Sequence, residues 1–326
     1  MDYSIVIPLY NEEEVISECH KQLSDTMSGC DGSYELIYVD DGSRDKTMAI
    51  ARDIAGRDDR VKIISFSRNF GHQTAITAGM DLASGRAVVV IDADLQDPPR
   101  VILEMISKWK EGFDVVYGKR IKRKGESVFK KATAKLFYRT LNSMTDVDIP
   151  VDAGDFRLLD RVVIDTLKKL PERNRYVRGL VSWVGFRQAA VEYVREERFA
   201  GETKYPLRKM LKFATDALTS FSHKPLKIST FLGSLLSAAS IIYLIVLLIL
   251  AIVSGSAPAG WAVLAAISLF FNGVVLIMLG IIGQYIGRIY DEAKARPLYI
   301  IGETVGFGNG MDDNSPTIPM PPLSRL

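Results

Sequence analysis

Residues 87–98 read AVVVIDADLQDP, and the fold turns on how this run breaks. Its apolar opening, 87–91 with three valines, suits a strand buried on both faces, as in a parallel sheet. Asp92 and Asp94 follow at i, i+2, then Gln96 and Asp97. On an extended chain, side chains two apart point the same way, so Asp92 and Asp94 can converge on one cation. Carboxylate oxygens are hard ligands that suit Mg²⁺ or Mn²⁺. A sheet of this kind carries its chemistry at the carboxyl ends of its strands, where these acids fall. A D-x-D also suits a polar loop capping the next helix, so the flanking chain has to decide.

The same unit recurs upstream. Residues 4–8 (SIVIP) form a strand, and Leu9-Tyr10-Asn11-Glu12-Glu13 turns into a helix at about 14–27. A second strand, 34–39 (YELIYV), ends on Asp40-Asp41-Gly42-Ser43. Gly42 suits the positive φ of a tight turn, and Ser43 or Asp45 can cap a helix running to about 54. A third strand at 61–65 leads through Arg68-Asn69-Phe70-Gly71 into a helix at about 73–83. Beyond the opening stretch, a helix at 101–110 and a strand at 114–118 continue the alternation. Strand and helix alternating at this spacing predict a doubly wound α/β sheet. Acids stand at three strand ends, at Glu12, Asp40/Asp41 and Asp92/Asp94, which reads as a ligand crevice. No G-x-G-x-x-G or G-x-x-x-x-G-K-[ST] occurs near these ends. Nucleotide phosphates bound there would be neutralised by a metal instead of cradled by a glycine loop.

Composition narrows the class. The chain has 326 residues with 41 basic and 39 acidic side chains, a balance that argues against a dedicated nucleic-acid binder. Cys19 and Cys30 lack metal-ligand or C-x-x-C spacing and read as reduced, structural thiols. The sequence opens on a strand without a signal peptide, so the folded part is expected in the cytosol.

The motifs resemble a known family. Ile7-Pro8-Leu9-Tyr10-Asn11-Glu12, Val39-Asp40-Asp41-Gly42-Ser43, Asn69-Phe70-Gly71 and Asp92-Ala93-Asp94-Leu95-Gln96-Asp97-Pro98-Pro99 resemble the family 2 glycosyltransferases of GT-A fold. Within that family the chain is most similar to polyprenyl-phosphate glycosyltransferases, relatives of dolichol-phosphate mannose synthase and of bactoprenol glucosyltransferase, up to about residue 300. The resemblance implies that Pro8, Tyr10, Glu12 and Asp41 line the nucleoside pocket. It places Asp92 near ribose and diphosphate, and Asp94 and Gln96 on the metal.

Further motifs extend the likeness. The basic run 119–135 includes Arg120, Lys130 and Lys131, which by the resemblance hold the acceptor phosphate. It equally suits a solvated face or a surface that meets anionic headgroups. In Asp152-Ala153-Gly154-Asp155-Phe156-Arg157, Gly154 admits a close backbone approach, and Asp155 is the residue that the family makes catalytic. A phosphate monoester has its second pKa near 6, so it needs little help from a base, and Asp155 as an orienting residue stays open beside Asp155 as a base. Arg198-Phe199-Ala200-Gly201-Glu202-Thr203-Lys204-Tyr205 resembles R-x-x-G-E-[ST]-K, which puts Arg198 and Lys204 on a diphosphate or lipid phosphate.

From residue 206 the pattern changes. Leu207, Met210, Leu211, Ala214, Leu218 and Phe221 recur at helical spacing with Arg208, Lys209 and Lys212 opposite, an amphipathic helix suited to a membrane interface. Residues 228–253 carry no charge and make about 39 Å of helix. That exceeds the ~30 Å hydrocarbon core. After a Gly/Ser/Pro turn, 261–287 is again uncharged. Lys224, Lys227, Arg288, Lys294 and Arg296 flank the two spans, whereas the connecting loop has no Lys or Arg, which sets both ends in the cytosol. The expected organisation is a cytosolic GT-A domain at 1–205, an interfacial helix at 206–226, a transmembrane hairpin at 227–288 and a cytosolic segment at 289–326, unstructured after 302. Residues 297–301 (PLYII) suit a strand packed elsewhere on the chain or on a neighbouring subunit of a homo-oligomer.

The expected function is inverting transfer of a sugar from a nucleotide-sugar, such as UDP-glucose, to a polyprenyl phosphate such as undecaprenyl phosphate. It would occur at the cytosolic face of the cytoplasmic membrane, with Mg²⁺ or Mn²⁺, and serve cell-envelope glycan modification. A processive polysaccharide synthase is the alternative, but Arg178-Gly179-Leu180-Val181-Ser182-Trp183 does not supply its Q-x-x-R-W motif. A non-catalytic membrane scaffold of the same fold fits less well with Asp92, Asp94, Gln96 and Asp155 all in place.

Overall fold

The computed structural model describes residues 1–122, 153–196 apart from 171 and 174, and 260–307, with Ile242, Ile245, Ile249, Ile252 and Val253 between them. These fall into two compact units. One holds 1–122, 153–196 and 296–307; the other holds 260–295 and the five residues before it.

The first unit is built on an eight-stranded sheet. In chain order its elements are β1 (Tyr3–Leu9), α1 (Ile16–Ser28), β2 (Tyr34–Asp40), α2 (Thr47–Ala55), β3 (Val61–Phe66), α3 (His72–Leu82), β4 (Ala87–Val90), α4 (Val101–Lys110) and β5 (Val115–Lys122). There follow β6 (Ala153–Asp160), α5 (Arg161–Lys168), α6 (Val177–Trp183) and β7 (Gln188–Val194). After α7 (Trp261–Ala293) in the second unit, β8 (Ile301–Val305) returns to the sheet.

Strand order is β7-β5-β6-β4-β1-β2-β3-β8. Strands β1 to β4 run parallel; β6 is inserted antiparallel between β4 and β5, and β8 pairs antiparallel with β3. The sheet is therefore the mostly parallel α/β arrangement expected, with β1, β2 and β4 buried along their whole length. Helices α1 and α4 cover one face, where Ile16, Leu23, Met27, Ile102 and Met105 join the core, and α3 packs on the other against β1 and β2. Because β1, β2 and β4 are neighbours, their carboxyl ends bring three acidic turns to one edge.

The tail differs from expectation. A strand was predicted at 297–301 and an unstructured chain from 302; the strand instead spans Ile301–Val305. It caps the β3 edge of its own sheet. Tyr299, buried beside it, stacks on Phe66 and donates to Asp81 Oδ2 at 3.1 Å, while Glu303 pairs with Arg52. An open edge strand is a liability, and this segment closes one.

Helix α7 has 33 residues, about 50 Å of helix, and contains the whole of the second expected span. Among the described residues no helix is both long and apolar enough to cross a membrane. Part of the α7 side chains, and all but five residues of the first expected span, lie outside them. The interfacial helix at 206–226 also lies outside, as do Lys130, Lys131, Arg198 and Lys204.

Candidate active site

The crevice is assembled from loops that tie one another down. After β1, Asn11 takes φ 54°, its amide donates to Ser43 Oγ at 3.0 Å, and its side-chain oxygen accepts from Arg44 N at 2.9 Å. The amide of Glu12 donates to Thr47 Oγ1 at 2.8 Å. Ser43, expected to cap α2, thus holds the neighbouring loop, while Asp45 accepts from Thr47 N at 3.0 Å at the helix start.

Asp41, predicted in the nucleoside pocket, is buried and spends its carboxylate on the backbone. It accepts from Phe70 N at 2.6 Å and from Gly71 N at 2.9 Å, fixing the N-F-G turn that starts α3. Burial raises its pKa against these bonds. Gly42, at φ 71°, lies so close to this turn that a Cβ would stand 2.7 Å from the Arg68 carbonyl carbon, which explains the glycine. Pro8 is buried within β1, and Tyr10 is exposed at the rim.

The buried Cys19 thiol of α1 is pushed up to about 12, by burial first and then by the charges of Asp94, Glu12 and Asp92. Asp94 accepts from Gln96 N at 3.1 Å across Leu95, which sits at φ 56°. Asp94 and Gln96 supply hard oxygen donors, yet among the described residues no three His, Cys, Asp or Glu side chains gather as a complete metal set. That partial set fits Mg²⁺ or Mn²⁺, ions that commonly take one or two protein ligands and complete their shell with substrate phosphates and water.

The next strand brings Asp155 to the same edge, and with it residues that sequence reasoning missed. Asp155 is buried and held by Arg178 in two parallel bonds, Nε to Oδ1 and Nη2 to Oδ2, both 2.8 Å. Gln73 Nε2 donates to Asp155 Oδ2 at 3.3 Å, and Gln73 Oε1 accepts from Val177 N at 3.1 Å. His72 Nε2 stands 3.4 Å from Asp155 Oδ2 and 3.5 Å from Asp92 Oδ1. Burial alone would raise Asp155, but Arg178 outweighs it, aided by His72, and the carboxyl is held well below the usual carboxylate range. Asp92 moves the other way: burial, with Asp155, Asp94 and Asp97 adding to it, pushes it up to about 6 against the pull of His72. Burial would lower His72, but Asp92 and Asp155 prevail and raise it to about 9.

Arg120 reaches the edge from β5 and is engaged. Its Nη2 lies 3.1 Å from Asp97 Oδ2, and its Nε donates to Tyr193 Oη at 3.1 Å. Asp97, wholly buried, also accepts from Tyr193 Oη and faces Arg195 at 3.7 Å. A Cβ on Gly154 would come within 2.6 Å of Arg120 Nη2. The D-A-G-D glycine therefore makes room for this arginine. His72 and Gln73 directly follow the N-F-G motif, a placement that could have flagged them; Arg178 lies in a short helix with no local signal.

A mostly parallel α/β sheet with carboxylates at its strand ends suits a ligand bound in the crevice at those ends. The profile of "Glycosyl transferase family 2" matches residues 4–168, and the chain belongs to that family. It is 60% identical over 309 residues to the uncharacterized glycosyltransferase YkcC of Bacillus subtilis (strain 168), covering 95% of this chain and 96% of that one. It is 42% identical over 301 residues to the bactoprenol glucosyl transferase of Shigella phage SfV, covering 92% and 98%. It is 40% identical over 301 residues to a prophage bactoprenol glucosyl transferase homolog of Escherichia coli (strain K12), with the same coverage.

Proposed function

We propose that this glycosyltransferase moves a sugar from a UDP-sugar, such as UDP-glucose, to a polyprenyl phosphate, such as undecaprenyl phosphate, with inversion. The observation that carries the proposal is the extent of the likeness to bactoprenol glucosyl transferases. At 92% of the chain it must run through the apolar stretches 228–253 and 261–287, and so covers more than the donor-binding domain.

In this reading the acceptor's phosphate oxygen attacks the anomeric carbon from the face opposite the nucleoside diphosphate. The new C–O bond forms as the bond to the diphosphate breaks. A phosphate monoester is already a charged nucleophile at neutral pH. The strongly ionised Asp155 then serves as an orienting and electrostatic residue, because a carboxylate gripped by Arg178 is a poor proton acceptor. Asp94 and Gln96 would hold Mg²⁺ or Mn²⁺, which when bound offsets the charge of the leaving diphosphate. Arg120 faces the acceptor phosphate, and Lys130, Lys131, Arg198 and Lys204 complete the anion-binding set. Pro8, Tyr10, Glu12, Asp41 and Asp92 contact the nucleoside side.

The lipid acceptor implies a membrane address. Two spans in the cytoplasmic membrane, with the catalytic domain and both termini cytosolic, would present the enzyme to a headgroup whose tail stays in the bilayer. Two features support this: the Lys/Arg flanks, and the exposed Ile242, Ile245, Ile249 and Ile252 with Leu264, Leu279, Ile282 and Ile286 on α7. The test is lipid-product formation by the full chain in detergent with UDP-glucose, divalent metal and undecaprenyl phosphate. A polymer in the aqueous phase would support the processive alternative.

A further inference from the structure

We infer that His72 is a positioning residue, whose side chain spans Asp92 at the end of β4 and Asp155 on β6 and so holds the donor-side and acceptor-side carboxylates at their working separation. Those two labels rest on the functional reading above; the bridge itself rests on geometry.

Asp92 and Asp155 belong to antiparallel neighbours, β4 and β6, at one edge of the sheet. Without a cation between them, two carboxylates this close repel, and the site opens or one group takes a proton. Arg178 occupies both oxygens of Asp155. Among the described residues, Asp92 Oδ1 is buried without a hydrogen-bond partner, and His72 Nε2 faces it at 3.5 Å. One imidazole nitrogen thus stands between the two acids, 3.5 Å from one and 3.4 Å from the other.

The imidazole is placed by a fixed support. It is the first residue of α3, directly after Gly71 at φ 105°, and the turn before it is locked by the Asp41 carboxylate. Behind it, Gln73 ties α3 to both Asp155 and the start of α6. The charged groups that face His72 are Asp92, Asp155, Arg178 and Asp41. Its side chain remains two-fifths exposed, so the bridge is reachable from the crevice.

The test is a double-mutant cycle in the full-length protein, with turnover read as nucleoside diphosphate released from whichever sugar nucleotide the wild type consumes. His72→Ala should cost about a hundredfold in kcat in the native background, the scale expected of a misplaced catalytic group. In an Asp155→Asn background the same change should cost less than threefold, because the charge it positions is gone. An equal cost in both backgrounds, or a kcat within threefold of wild type for His72→Ala alone, overturns the inference. If the alanine variant does not fold, His72→Gln is run through the same two backgrounds with the same criteria. A wild type that releases nucleotide with this coupling but glycosylates no polyprenyl phosphate would count against the acceptor assignment and leave the His72 bridge supported.

Discussion

Arg178 grips Asp155 through two parallel hydrogen bonds of 2.8 Å, an acid–base pair formed between the start of a short helix and a strand 23 positions earlier in the chain. Asp155 is nearly wholly buried and Arg178 largely so. Removing one partner of such a pair strands the other charge in a medium that solvates it poorly. Arg178→Ala is expected to destabilise the protein by about 3 kcal/mol and to raise the Asp155 pKa. Thermal unfolding in detergent reads the first effect. A variant as stable as wild type would show that solvent already compensates Asp155.

Arg120 is committed to Asp97 and Tyr193, so its removal should have two consequences. Arg120→Ala should raise the KM for the lipid phosphate more than that for the sugar nucleotide. It should also lower stability, because the buried Asp97 loses its closest cation. Gly154→Ala should reproduce the KM effect in milder form by displacing the guanidinium. A KM change confined to the sugar nucleotide would move Arg120 to the donor side.

Glu35 offers a pH test far from the crevice. It is fully buried on β2, accepts from Ser4 Oγ, from Ser84 N and from Ser84 Oγ, and pairs with Lys62 at 2.6 Å. Burial would raise its pKa, but Lys62, Ser4 and Ser84 together lower it. A depressed carboxyl stabilises the fold above its unfolded pKa of about 4.3. That contribution fades as pH falls toward the lower folded value. Glu35→Gln should therefore be less stable than wild type at pH 7, by about 2 kcal/mol, and the gap should narrow below pH 4. A gap that stays constant to pH 3 would mean that Glu35 does not contribute through its charge.

Divalent metal should be required. Chelation by EDTA is expected to abolish transfer, Mg²⁺ or Mn²⁺ to restore it, and Asp94→Asn to abolish it in a folded protein. Unchanged activity of Asp94→Asn would remove Asp94 from the metal site.

The tail strand should be part of the fold. Tyr299→Ala removes a buried ring stacked on Phe66 and a hydrogen bond to Asp81. A loss of about 3 kcal/mol is expected, and a neutral result would show β8 to be dispensable.

The first half of this architecture is written locally. Short apolar runs end on turn residues, and the helix at 101–110 and the strands at 34–39 and 61–65 fall within a residue of where the pattern puts them. The acid-bearing strand ends were legible for the same reason, since each motif is contiguous in the chain. What periodicity does not encode is which strands become neighbours. The insertion of β6 between β4 and β5 brings Asp155 next to Asp92, and only then does a histidine one residue past N-F-G become a bridge. Asp41 shows what a contiguous motif does not carry: the family resemblance assigns it to the nucleoside pocket, but only the fold shows that its carboxylate also accepts from the Phe70 and Gly71 amides of the turn after β3.

The measurement that bears most directly on the central claim is transfer itself. Full-length protein in detergent is incubated with radiolabelled UDP-glucose, undecaprenyl phosphate and Mg²⁺ or Mn²⁺, alongside other common sugar nucleotides. The expected result is a chloroform-extractable, mild-acid-labile sugar that depends on both the metal and the lipid phosphate. Release of nucleoside diphosphate without any lipid-linked sugar, across all donors, would contradict the account.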